Sequence, residues 1–273
     1  MKKTIAFIIT AMLLVSFSVI TFSASTNKTI TYKGTPVIDG IEDEVWKTAE
    51  SIDVKFFEVT SAPNNPNAAT AVVKTLWDEK FFYIYATVTD PVIDISNAGN
   101  WYERDCIGIA LDYNNVKGTP ETLYDANDAA GLVDFGIDDT ITPNKLYVDN
   151  ITDVSRKVVP NDTGWVVEIA IPHLKAVTEG MNVGFEAQYN DARDGARQGI
   201  TNWSEGGTDL WRYTDVLGTA VLTAAPVVEV IPEETTTETV NPETADNNNI
   251  IYIFAALSSA AVVILLKKRT IIS

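Results

Sequence analysis

The chain has 273 residues and a formal net charge of −17, with one Cys and one His. That length suffices for one sizeable core plus extensions. Such a charge repels nucleic acid and anionic lipid and points to a neutral or cationic partner. A single Cys excludes an internal disulfide, and the Cys and His counts exclude the usual zinc sites.

In chain order, Met1-Lys2-Lys3, an apolar run from Ile5 to Ile20 and the small residues Ser23-Ala24-Ser25 read as a secretory signal peptide over 1–25. The alternation Thr29-Ile30-Thr31-Tyr32-Lys33 predicts a strand closed by Gly34 and Pro36. Asp39-Gly40 is a turn signal, and Glu42 to Ala49 suits a short helical turn anchored by Trp46. Ala71 to Thr75 and Phe81 to Val88 form a hairpin across Trp77-Asp78-Glu79-Lys80. Cys106 to Asp112 continues the alternation, which makes Cys106 a buried small hydrophobe. Leu132 to Ile137, Lys145 to Val148 and Ser155 to Val159 are shorter candidates. Trp165 to Ile171, ended by Pro172, is the clearest strand, and Val183 to Asn190 and Val216 to Leu222 complete the set. About ten short strands without a long helix between the ends predict an all-β fold. The expected architecture is an antiparallel, jelly-roll-like β-sandwich over 26–223.

From 224 to 249 the composition turns to Pro, Glu, Thr, Val and Asn, a disordered stalk that cannot bury a core. The apolar run 250–266 would span about 26 Å as a helix, enough for a thin hydrocarbon core. The basic tail 267–273 then stays cytoplasmic. The sandwich is thus flanked by a signal peptide and a C-terminal transmembrane segment. It is expected outside a Gram-positive-like cell, touching the membrane only through that anchor. Asn241-Pro242-Glu243-Thr244-Ala245 resembles the cell-wall sorting signal read by sortases, whose cut would join Thr244 to the wall. The usual Leu and Gly of that signal are Asn241 and Ala245 here.

Glu103, Asp105, Glu186, Asp191, Asp194 and Glu205 lie near candidate loops or strands, but nothing in their spacing fixes a glycosidase pair. There is no glycine-rich phosphate loop and no Gly-x-Ser-x-Gly elbow. Asp125-Ala126-Asn127-Asp128 sets oxygen ligands at alternate positions, as calcium loops do, so Asp125, Asn127 and Asp128 are candidates for a structural calcium. Ala130 stands where an EF-hand needs Gly, and no Glu closes the loop.

Aromatic residues in polar settings remain. Trp203 and Trp211 stand in the stretch Ile200 to Arg212, which reads as a surface loop, and Trp101-Tyr102 follows Asn97-Ala98-Gly99-Asn100. A sugar needs a flat apolar platform and planar hydrogen-bonding side chains. Gln188 and Asn190 share one face of their strand with Glu186, and Arg197 and Arg212 flank the loop. Trp211, beside Arg212 and just before the last strand, reads as a packed lid; Trp203 reads as the platform.

Gly34-Thr35-Pro36-Val37-Ile38-Asp39-Gly40 with Asp43-Glu44-Val45-Trp46 resembles the opening of family 9 carbohydrate-binding modules, best known beside xylanases. Leu76-Trp77-Asp78-Glu79, Thr89-Asp90-Pro91-Val92, Trp165 to Ile171, Gly184 to Asp191 and Asn202-Trp203-Ser204 follow in the family's order, from about Ile30 to Leu222. The resemblance implies a β-sandwich with structural calcium that binds the ends of glucan or xylan chains and clamps a terminal sugar between two tryptophans. On matching positions Trp203 is one ring, Gln188 and Asn190 are polar contacts, and Arg197 falls in a matching stretch. The other ring is Trp101 or Tyr102. The chain departs from the family at Gly108, where an acidic side chain is usual, and at Leu132, where Arg is usual. The expectation is a carbohydrate-binding surface protein without chemistry of its own. The alternatives are a structural or adhesive protein on the same fold and a hydrolase of glycosidic bonds or its accessory.

Overall fold

The computed structural model describes residues 24–59, 69–117, 129–144, 153–205 and 207–226. The chain divides into one unit over Met1–Ala225 and a second over Pro226–Ser273. The expected signal peptide up to residue 23, the Lys145–Val148 strand, Asp125, Asn127 and Asp128, the stalk from 227, the apolar run 250–266 and Thr244 all lie outside the described residues. Among the described residues, no helix is long and apolar enough to cross a membrane.

The strands are β1 (Lys28–Lys33), β2 (Ile52–Val54), β3 (Phe56–Val59), β4 (Thr70–Trp77), β5 (Phe81–Thr89), β6 (Cys106–Asp112), β7 (Ala130–Gly136), β8 (Ile141–Asn144), β9 (Ser155–Asn161), β10 (Gly164–Pro172), β11 (Asn182–Arg193), β12 (Ala196–Asn202) and β13 (Gly218–Thr223). Short 3-10 turns cover Glu44–Thr48, Trp101–Glu103 and Gly207–Trp211. The all-β expectation therefore holds. Hydrogen bonds join the strands in the order β8-β7-β6-β11-β13-β1-β4-β5-β10-β9, with β12 and β3 continuing from β11 and β2 pairing with β4.

This single sheet curls so that its two halves face each other. One core holds Val73, Ile84, Trp165, Val167 and Ile169 from one half and Ile107, Ile109, Val133, Phe185 and Tyr189 from the other. The Phe82 and Phe185 rings meet across it at 5.7 Å, and Trp165 and Tyr189 at 6.4 Å. Most pairings are antiparallel, but β1 departs from that expectation. It runs parallel to both β13 and β4, pairing Lys28–Tyr32 with Thr219–Thr223 and then Tyr32–Lys33 with Leu76–Trp77. β1 changes partner part-way along and so joins the two halves.

Outside the β4–β5–β10 half, the segment from Gly34 to Ala49 is laid down by one carboxylate. Glu168, fully buried on β10, accepts the N–H groups of Asp39 (2.9 Å), Gly40 (2.8 Å) and the Trp46 indole (2.7 Å). Gly40 sits at φ 80°, in the left-handed region, where a β-carbon would lie 2.4 Å from Val159 Cγ2. Trp46 packs with Leu76, Tyr83, Tyr85 and Ala170, the core role expected of it. Both ring nitrogens of His173 are engaged: its Nε2–H donates to the Asp78 carbonyl (2.9 Å) and its Nδ1 accepts the Tyr113 hydroxyl (2.8 Å).

Candidate functional site

The β6–β7–β11–β12 half has an inner face in the core and an outer face that is unusually polar. The period of two sets which residues share it. Pairing runs Asn202–Gln188–Gly108–Asp134 in one row and Ile200–Asn190–Cys106–Gly136 in the next. A third row runs Glu186–Ala110–Leu132. Gln188 and Asn190 therefore share a face with Glu186, as the alternation predicts. Gln188 Nε2 donates to Asn202 Oδ1 (2.8 Å) and Asn190 Nδ2 donates to Cys106 Sγ (3.2 Å). Arg197 Nη1 donates to Asn190 Oδ1 (3.0 Å), and its guanidinium lies 5.5 Å from the centre of the Tyr102 ring. The structure thus brings Tyr102, Arg197, Asn190 and Gln188 together.

At the upper row, the Cys106 thiol donates to the Trp101 carbonyl (3.8 Å), and Arg197 N–H donates to Glu103 (2.6 Å). These contacts seat the 101–103 turn beside β11 and β12. Trp101 and Tyr102 meet edge to face at 5.4 Å, and Tyr102 is exposed. At the lower row, Leu210 is fully buried against Ala110, Ala130 and Leu132. It pins the 207–211 turn to the same face and leaves its neighbour Trp211 at its edge, 51% exposed.

Trp203 requires a correction. It is 7% exposed, belongs to the inner core and packs on Phe185 at 5.1 Å. Alternation gives the reason: Asn202 pairs with Gln188 on the outer face, so the next residue turns inward. The stretch Ile200 to Arg212 is accordingly not one surface loop, because Ile200–Asn202 closes β12. Trp211 is corrected the opposite way, from packed lid to exposed ring. β11 and β12 are joined by Asp194-Gly195, both at positive φ (54° and 74°), the two-residue turn that suits a tight hairpin.

Gly108 has a structural explanation. A β-carbon on Gly108 would lie 2.6 Å from Asp134 Oδ1, so the carboxylate of β7 fills the space that Gly108 leaves. An acidic group thus occupies this row, supplied by the adjacent strand. Burial pushes the Asp134 carboxyl well up, and the nearby Arg197 charge opposes that shift. Sequence reasoning missed Asp134, although a charge at alternate spacing with Leu132 and Gly136 in a wholly buried strand marks it.

Glu186 is buried too, and it accepts the N–H groups of Trp203 (2.7 Å) and Ser204 (3.0 Å), which fix the turn after β12. Burial, the largest influence, pushes its carboxyl up to about 7. The folded state therefore holds this proton more tightly than the unfolded chain. Its contribution to stability is complete below about pH 4.5 and is lost as pH rises through about 7, up to roughly 3 kcal/mol. The urea midpoint is expected to fall between about pH 5 and about pH 8, and the fall to be shallower in Glu186→Gln.

Three further carboxylates meet behind the 101–103 turn. Asp90, Asp105 and Asp191 are buried, with ligand atoms all within 4.8 Å of one another. Asp105 is pushed up to about 8 by burial, reinforced by the Asp90 and Asp191 charges. Burial also raises Asp191, with the Arg193 charge opposing. Hard oxygen donors in this number suit calcium, which takes carboxylate oxygens and relieves such a repulsion. The donor set fits the metal that the family resemblance implies, at residues other than Asp125, Asn127 and Asp128. The sequence offers Asp105 and Asp191 only as catalytic carboxylates, and Asp90 only as part of Thr89-Asp90-Pro91-Val92.

Known proteins similar to this chain give its family. The chain is 37% identical over 188 residues to endo-1,4-beta-xylanase A of Thermotoga maritima and 31% identical over 197 residues to exoglucanase XynX of Acetivibrio thermocellus. These matches cover 68% and 71% of this chain but 17% of each of those proteins. In fold it is similar to a family 9 carbohydrate-binding module from Caldicellulosiruptor kristjanssonii solved with cellotriose. The TM-score is 0.63 at 23% identity, over 79% of this chain and 100% of that one. A glucose complex of a module from that organism gives 0.62 at 24% identity, over 72% and 96%. The family model described as carbohydrate family 9 binding domain-like matches residues 38–225, and with most of the folded unit inside that match the chain belongs to the family 9 carbohydrate-binding modules.

Proposed function

We propose that this module binds the ends of β-linked glucan or xylan chains, holding a terminal sugar between Trp211 on one side and Trp101 with Tyr102 on the other. The observation that carries this is the placement of an exposed Trp211 and an exposed Tyr102 at opposite ends of one polar face. The rows that anchor them, at Ala110 and Cys106, are four residues apart on β6, about 13 Å at strand rise. That interval accommodates a sugar ring between two leaning aromatic rings. The Gln188–Asn202 amide pair, Asn190 with Arg197, and Asp134 form its floor, with planar groups suited to hydroxyls. The xylanase and exoglucanase names of the relatives, and the cellotriose and glucose in the solved modules, support a plant-polysaccharide ligand. Binding here makes and breaks no covalent bond, and calcium at Asp90, Asp105 and Asp191 would supply only structural charge. The composition of residues 1–25 and 241–269 supports export and surface anchoring, with sortase as a second partner at Thr244. Mass spectrometry of the surface protein tests that step, and an uncut C-terminus overturns it.

Titration of the full chain with cellotriose, glucose and xylo-oligosaccharides, followed by tryptophan fluorescence and by retention on insoluble cellulose and xylan, tests the main reading. Saturable quenching by one of these sugars is expected. No spectral change with any of them, together with no retention, overturns it.

A further inference from the structure

The segment that carries one side of the proposed clamp begins and ends on the carboxylate cluster. Asp90 closes off β5 and Asp105 precedes β6, so residues 91–104, with Trp101 and Tyr102, form a loop whose two feet are two of the three clustered acids. The third, Asp191, follows Asn190 directly, at the irregularity of β11 between Asp191 and Ala192. Asp105 is woven into both sides: its Oδ1 accepts Ala192 N–H and its Oδ2 accepts Asp94 N–H, each at 2.5 Å. Asp90 Oδ2 accepts the Tyr189 hydroxyl (2.8 Å), from the residue before Asn190. Farther out, the loop grips the β11–β12 hairpin through Asp94 and Gly195 N–H (2.7 Å), Asn97 and the Gly195 carbonyl (2.8 Å), and Glu103 and Arg197 N–H. A charge placed among the three acids acts at once on both feet of the aromatic loop and on the strand that presents Gln188 and Asn190.

From this geometry we propose that a divalent cation, calcium by the donor set, bound by Asp90, Asp105 and Asp191, fixes the loop 91–104 against β11 and thereby sets the affinity of the sugar site. The inference rests on the sugar-binding reading above. Without the cation, three neighbouring buried carboxylates repel one another and push the loop's feet away from β11. With it, Trp101 and Tyr102 are held opposite Trp211 before the sugar arrives, and the ordering of the loop is no longer charged to sugar binding. Linkage then requires that cellotriose tighten calcium by the same factor that calcium tightens cellotriose.

The test uses the full chain freed of metal by a chelator and dialysis. Calcium binding is measured calorimetrically, loop order by hydrogen exchange of 91–104, and cellotriose affinity by tryptophan fluorescence, each with and without the other ligand. The expected result is calcium binding that slows exchange in 91–104 and tightens cellotriose about tenfold, with the reciprocal effect on calcium. Asp191→Asn is expected to abolish the calcium effect while retaining weak cellotriose binding, whereas Trp211→Ala weakens cellotriose equally in both states. Absence of calcium binding, or calcium binding that leaves cellotriose affinity unchanged, overturns the inference. If calcium orders the loop and cellotriose binds in neither state, the sugar reading falls, and with it the affinity coupling, while the cation site stands. Because metal removal is done on the unaltered chain, a misfolded Asp191→Asn protein does not decide the outcome.

Discussion

Trp203→Ala is expected to cost about 3–5 kcal/mol of folding stability while leaving sugar affinity nearly intact in the protein that remains folded. The ring fills the space between Phe185 and β13 so closely that a β-carbon on Gly218 would lie 2.4 Å from its Cζ3. Gly218 is thus the residue that admits the ring, and the alanine variant would leave a cavity of indole size. Domains of this kind are stable by about 5–15 kcal/mol, so the loss is a large share of the whole. Urea denaturation of the variant checks it, with cellotriose titration well below the midpoint. A variant of normal stability that no longer binds sugar would return Trp203 to the clamp and overturn the assignment of faces.

Trp211→Ala is expected to do the reverse. Half of its surface is in solvent, and Leu210 rather than Trp211 pins the turn. Stability should therefore change by about 0.5 kcal/mol or less. An aromatic ring that stacks on a ligand behaves as a hot spot, and its removal should cost about 2 kcal/mol, roughly thirtyfold in affinity. Cellotriose titration and thermal unfolding of the same preparation check both halves. Unchanged affinity would remove Trp211 from the site and leave the exposed ring without a role.

The strands that the sequence shows plainly are those with one apolar face and one polar face or a long apolar run, such as β5, β10 and β11. The ones it hides are short or polar. Ile52–Val54 has only three residues, and Ala196–Asn202 reads Ala-Arg-Gln-Gly-Ile-Thr-Asn, with only Ile200 and Thr201 β-branched and a glycine inside. Missing that last strand had the larger consequence. Without it, Trp203 looks like a loop residue, and no parity argument is available to turn its ring inward. Polar parity on β11 was legible because Glu186, Gln188 and Asn190 alternate with Phe185, Ala187 and Tyr189. The Asp134 carboxylate and the Asp90–Asp105–Asp191 cluster were not, since both depend on strands adjacent in space and distant in sequence. A departure from the family at Gly108 looks like a loss when one strand is considered alone; across the pair it is a transfer of the acid to the neighbouring strand.

The parallel pairing of β1 with β13 has a mechanical consequence. β13 is hydrogen-bonded along both edges, to β1 through Lys28–Tyr32 and to β11 through Asn182–Phe185. A pull on the chain that leaves β13 after Thr223 acts along the strand axis, against both ladders together. The bonds then yield in shear as a group rather than one at a time, as they would if the strand were peeled from its end. The end of β13 is in this way the part of the fold where an axial pull is shared by two ladders instead of falling on one.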